Sequence, residues 1–213
     1  MEKVIIESKP DVESPVFAVA LPGVGNVGLI ALGFFSKFSG AKKFGHYYSK
    51  NFPDHVMIQG NGVCALPGFD FFASKSINPN MVIAISNTPI TSEDSKSYYD
   101  VFDEIVGFAV EVHSRMLIAL DAVAVASKSD EIYVAATTPR LLKDFSAFGA
   151  KPYEAKRLPG PVGLLLGLSE YHQLKGVGIL GSAASFQPDN ESGRRVYDFL
   201  AKALDLRRID TPA

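Results

Sequence analysis

Three glycines, Gly23, Gly25 and Gly28, stand at the spacing G-x-G-x-x-G within Pro22–Gly28, PGVGNVG. An apolar run, Val16 to Leu21, leads in, and a helix-like run from Val27 to Phe38 leads out. A turn of this kind lets a buried strand reverse tightly into a helix. It also bares backbone N–H groups at the helix start, where dinucleotide folds hold a phosphate. That chemistry needs a carboxylate about 20 residues further on to hold the ribose hydroxyls. No Asp or Glu occurs between Leu29 and Pro53, and Asp54 is the first. An NADP variant would have to use Lys42 or Lys43. A phosphate-binding P-loop needs Lys-Ser/Thr after its last glycine, and here Leu29-Ile30 follow Gly28. Close packing of strand against helix is the favoured reading. The alternative is an anion held by Gly23, Val24, Gly25 and Asn26, with Asn87, Thr88, Gly160 and Gly163 gathered at the same sheet edge.

Nucleophile and metal chemistry find little support. G-x-S-x-G is absent, and Gly181-Ser182-Ala183-Ala184-Ser185 lacks the second glycine of such an elbow. His46, His55, His113 and His172 are far apart, with no pair at metal-ligand spacing on one helix. Asp54 and His55 are adjacent, so on a strand they would point to opposite faces. Cys64, the only cysteine, excludes an internal disulfide and a thiolate zinc cluster, and in an apolar hairpin it is read as inert core. Glu93-Asp94 and Asp189-Asn190-Glu191 are read as helix-start acids, and Asp103-Glu104 as the polar side of a helix. No catalytic residue, metal or cofactor is predicted. Phe69, Phe71 and Phe72, beside Pro67-Gly68, are the one surprising cluster: exposed they would be an interaction patch, buried they are core.

The elements that must position these residues follow from the apolar pattern. Val4-Ile5-Ile6 predicts an edge strand, and Val16–Leu21 and Met81–Ser86 predict strands covered on both faces. Leu29, Leu32, Phe35 and Phe38 keep helical spacing up to Ser39-Gly40, and Lys43–Ser49 reads as a strand. Gly60-Asn61-Gly62 between two short apolar runs predicts an antiparallel hairpin, an excursion over residues 54–72 whose Phe69–Phe72 end is irregular. Ser92 or Asp94 is expected to cap a long helix carrying Tyr98, Phe102, Ile105 and Phe108. Leu117–Leu120 and Ile132–Ala136 read as short strands, with the Ala/Val stretch between them unassigned. Pro139 opens a helix that Gly149 ends. Leu158-Pro159-Gly160-Pro161-Val162-Gly163 leads into a helix over Leu164–Leu174, followed by the strand Val177–Leu180, a loop and a final amphipathic helix. Strands alternating with helices predict an α/β fold, a three-layer α/β/α sandwich with a mixed, mostly parallel central sheet, formed as one domain over 1–213.

Bulk composition narrows the function classes. The chain has 213 residues, 47% of them hydrophobic, enough for a large core. Formal net charge is -2, with 21 basic and 23 acidic residues, so neither a nucleic-acid groove nor a polybasic membrane patch is expected. No run approaches the about 18 apolar residues of a membrane span, and the charged opening MEKVIIESKPDVES is not read as a signal peptide. A soluble cytoplasmic protein is expected.

Three segments taken together carry a resemblance. VFAVALPGVGNVGLIALGFFSKFSGAKKFGHYYSKNFPDHV resembles the opening of archaeal members of the proteasome assembly chaperone family. KRLPGPVGLLLGLSEYHQLKGVGILGSAASFQPDNESGRRVYDFLAKALDL resembles that family's closing half, and MVIAISNTPITSEDSKSYYDVFDEIVGFA stands where its central strand and long helix fall. The resemblance implies a fold similar to the purine-nucleoside-phosphorylase-like sandwich, without a shared catalytic centre. It also implies a homo-oligomer or heterodimer, with proteasome subunits or other proteins as partners. Archaeal members can dock through a C-terminal hydrophobic–tyrosine–any tripeptide; this chain departs there, ending Asp210-Thr211-Pro212-Ala213. A non-enzymatic, oligomeric interaction protein is therefore the leading expectation. A small-molecule enzyme or binding protein holding phosphate or a nucleotide at Pro22–Gly28 is the alternative.

Overall fold

The structure, a computed structural model, describes residues 2–8, 10–58, 60–90, 95–127 and 129–208. Strand β1 (Glu2–Ile6) is followed by β2 (Val16–Ala20), a 3-10 turn at Val24–Asn26 and helix α1 (Val27–Ser39). Next come β3 (Lys42–Ser49), the pair β4 (Met57–Ile58) and β5 (Cys64–Ala65), then β6 (Phe69–Ser74), β7 (Ile77–Asn78) and β8 (Met81–Ser86). Helix α2 (Ser95–Glu111) leads to β9 (Met116–Ala124), β10 (Tyr133–Ala136), α3 (Pro139–Ser146) and β11 (Lys151–Pro152). Helix α4 (Gly160–Tyr171), β12 (Gly176–Ala183), α5 (Asn190–Ala203) and β13 (Arg207–Arg208) complete the described chain.

Nine strands form one sheet in the order β1-β3-β6-β8-β2-β9-β12-β10-β11. Its centre, β8-β2-β9-β12, is parallel throughout. The β1-β3-β6-β8 flank is antiparallel. On the other side β10 runs antiparallel to β12 and parallel to β11. The sheet is therefore mixed, with its parallel pairings gathered where helical crossovers return the chain.

Strand β2 shows why the sequence demands three layers. Phe17 and Val19 enter one core with Val101, Phe102 and Ile105 of α2 and Val162 and Leu165 of α4. Val16, Ala18 and Ala20 enter the other, with Val27, Ala31 and Phe35 of α1, Phe145 of α3 and Val196 of α5. Alternate side chains on a strand point to opposite faces, so a strand that is apolar at every position must be covered on both.

Several local expectations change. Phe69–Phe72 is not irregular: β6 pairs with both β3 and β8. The unassigned Ala/Val stretch continues β9 to Ala124. Helix α4 begins at Gly160, so the glycines placed ahead of it form its first turn. Gly40, in the left-handed region at φ 62°, ends α1 as its C-cap, and Thr138 caps α3 by accepting from the Leu141 N–H at 3.3 Å. The expected α2 caps, Ser92 and Asp94, lie outside the described residues, as does Glu93.

Candidate functional site

The glycine turn is held by its neighbours on every side. Gly25 has φ 61°, which favours glycine. Its carbonyl accepts the Asp189 N–H at 2.9 Å, and Asp189 caps α5 by accepting from the Ser192 N–H at 2.9 Å. A Cβ on Gly25 would come within 2.8 Å of Ala183 Cβ on β12. On Gly28 it would lie 2.7 Å from the Leu120 carbonyl carbon and closer to its oxygen. Asn26, also left-handed at φ 49°, returns its N–H to the Gly23 carbonyl at 3.1 Å. The turn thus seats α1 on β9 and β12 with no room between them.

The partner of the turn that sequence reasoning missed is Asp121. It lies on β9 with the parity of Leu117 and Ala119, hence on the sheet face covered by α2 and α4. A Cβ on Gly23 would meet its carboxylate, lying 3.0 Å from Cγ. Burial pushes the carboxyl up to about 6, partly offset by the hydrogen bond it accepts from the Ala122 N–H at 2.8 Å. In its charged form it would set a like charge against a phosphate bound at Gly23. The signal in the sequence was a single acid within the apolar run MLIALDAVA.

The other candidate residues divide. Asn87, just after β8, is committed to the β5–β6 connection, accepting from the Gly68 N–H at 3.1 Å and donating to the Leu66 carbonyl. Thr88 is buried, its carbonyl accepting from the Ser86 hydroxyl at 2.6 Å. Neither lines the nearby cleft. Gly160 and Gly163 do line it; a Cβ on Gly163 would also collide with the Leu158 carbonyl. Phe69 and Phe71 are fully buried and Phe72 partly so, because β6 is an interior strand; they are core rather than an exposed patch. Cys64, expected in the core, is exposed, because the β4–β5 hairpin pairs only with itself and stands off the main sheet. That hairpin carries Val56, Ile58, Val63 and Leu66 to solvent, Ile58 at 65% exposure.

Two histidines acquire carboxylates that sequence separation had hidden, and one of them, His172 at the surface, has Nε2 2.7 Å from Asp103 Oδ1. His46 on β3 sits opposite Asp70 on β6, with Nδ1 2.5 Å from Oδ1, and Lys43 Nζ reaches the same oxygen at 2.7 Å. Burial opposes the Asp70 charge, but the hydrogen bonds from His46 and Lys43 outweigh it and hold the carboxyl below its ordinary value. His46 is buried and its Nε2 packs against Gly68, so the pair braces β3 against β6. Among the described residues no group of three or more His, Cys, Asp and Glu side chains is placed to hold a metal ion. No helix among them is long and apolar enough to cross a membrane.

A cleft of about 950 Å³ opens between the start of α2 and the outer face of α4. Leu21 and Pro22, at the head of the glycine turn, share it with Pro89 and Ile90 after β8 and with Tyr98 and Tyr171 on the helices. The elements expected to gather at the C-terminal edge of the parallel strands therefore do meet, but over an apolar surface.

A mixed α/β sandwich with a tightly packed glycine turn defines the class, and comparison gives the family. The chain belongs to the PAC2 family, whose model matches residues 17–213. It is similar to the crystal structure of Pyrococcus furiosus PbaB, an archaeal proteasome activator, at TM-score 0.89 and 26% identity, covering 98% of this chain and 91% of that one. Pyrococcus furiosus PbaA, an archaeal homolog of proteasome-assembly chaperone, superposes at TM-score 0.79 and 24% identity, covering 96% and 86%. Uncharacterized protein MJ1210 of Methanocaldococcus jannaschii is 23% identical over 212 residues, 97% of this chain and 81% of that protein.

Proposed function

We propose that this chain is a non-enzymatic, self-associating interaction protein that binds proteasome subunits. The observation that carries the reading is the likeness to a proteasome activator over almost the whole length of both chains. Two features of the chain support it. The glycine turn is spent on internal packing, with the Asp121 carboxylate beside Gly23. The β4–β5 hairpin leaves Val56, Ile58, Val63 and Leu66 uncovered, a cluster that partner contact would remove from water at a gain of about 25 cal/mol per Å².

Immobilised intact chain, incubated with proteasome α subunits of the source organism, tests the reading. Enrichment over a charge-matched control protein is expected. The same enrichment on chain and control would contradict it. Light scattering on the free chain tests self-association separately, with a mass of at least twice 23.0 kDa expected.

A further inference from the structure

The cleft between α2 and α4 is unused by the packing of the glycine turn and lies apart from the exposed hairpin. We propose that it is a binding site for a small, uncharged organic molecule with an apolar ring or branched body. Its volume, about 950 Å³, lies at the upper end of the roughly 300–1,000 Å³ of small-molecule pockets. The described lining residues are aliphatic, proline, glycine or tyrosine, with no charged side chain among them. A charged ligand would shed its hydration against these residues without an ionic partner among them, whereas an apolar one gains from leaving water.

The walls fit such a molecule. The Tyr98 hydroxyl donates to the Ile90 carbonyl at 2.8 Å, which ties up its polar end and fixes the ring. At the rim, Tyr99 and Tyr171 are 56% and 78% exposed, large rings that the described residues leave mostly open to solvent. On the α4 wall Gly167 has no atom within 4 Å of where a Cβ would stand, so a side chain placed there would have open space to enter.

The neutral fluorescent probe N-phenyl-1-naphthylamine, titrated into the intact chain, tests the site. Saturable uptake of one probe per chain is expected. Gly167→Phe, which fills the cleft from an open position, should weaken uptake by at least about tenfold, or 1.4 kcal/mol, with far-UV circular dichroism and melting temperature retained. Tyr171→Ala, at an exposed position, should weaken it without disturbing the fold and serves if the phenylalanine variant does not fold. The double variant Ile58→Ser, Val63→Ser on the hairpin should leave uptake unchanged. Non-saturable uptake, equal uptake by the folded cleft variants, or loss in the hairpin variant would overturn the proposal. So would exclusion of the probe from the native chain together with a fall in particle mass for Gly167→Phe, because a second copy would then occupy the cleft.

Discussion

The Asp121 carboxylate stands where a side chain at Gly23 would have to go: a Cβ at position 23 would lie 3.0 Å from Asp121 Cγ, inside van der Waals contact. Gly23 is extended, with φ -154° and ψ -160°, a conformation open to any residue. Space, and not backbone strain, therefore requires the glycine. Gly23→Ala is expected to destabilise the fold by about 1–3 kcal/mol, as overpacking does. In an Asp121→Ala background the same change should cost much less, and a double-mutant cycle by urea unfolding measures the difference.

The same carboxylate sets a pH dependence. Its folded value is raised to about 6 from 3.8, so between those values the folded state holds a proton that the unfolded chain has released. Its contribution to stability therefore falls as pH rises through that window and stays low above it. Asp121→Asn keeps the acceptor for the Ala122 N–H and removes the charge. It should stabilise the protein at pH 8 by on the order of 1–3 kcal/mol, with the gain fading toward pH 4. Denaturant midpoints across pH 4–8 check this.

Two glycines of α1 should respond in opposite directions. A Cβ on Gly28 would strike the Leu120 carbonyl, backbone that cannot swing aside, whereas Gly33 has open space around it. Gly28→Ala is expected to cost about 3 kcal/mol or more by forcing the helix off the sheet. Gly33→Ala should raise stability by up to about 1 kcal/mol through helix propensity alone. Thermal unfolding of the two variants separates close packing from a merely tolerant turn.

The His46–Asp70–Lys43 cluster makes the opposite pH statement from Asp121. The Asp70 carboxyl is held below 3.8 in the fold, so its contribution is present above the unfolded value and is lost as pH falls through the folded one. Asp70→Asn should destabilise the protein by about 1–3 kcal/mol near pH 7, and the gap to the native chain should close in acid. Unfolding at pH 7 and pH 3 measures both ends.

The sheet was legible where a strand is apolar at every position, because β2 and β8 can be satisfied only between two layers. Turns were legible where chemistry is local: Thr138-Pro139 at a helix start, Gly40 at a helix end, Gly60-Asn61-Gly62 in a hairpin. The exposure of Cys64 was not, since whether a hairpin docks on a core depends on residues distant in sequence. Phe69–Phe72 read as irregular because its two sheet neighbours are β3 and β8, neither visible from the segment itself. Within the candidate site, the glycine spacing was plain, but Asp121 lies 98 positions after Gly23 and meets it only because β2 and β9 pair in parallel. His46 and Asp70 were separated by the β4–β5 hairpin, which lies in sequence between the antiparallel neighbours β3 and β6.

Binding to the proteasome is read most directly by sedimentation velocity of the intact chain mixed with assembled proteasome α rings of its source organism. A new boundary is expected, faster than either component, whose amplitude grows with added chain until the ring is saturated. Boundaries that remain those of the separate components at concentrations well above micromolar would contradict such binding.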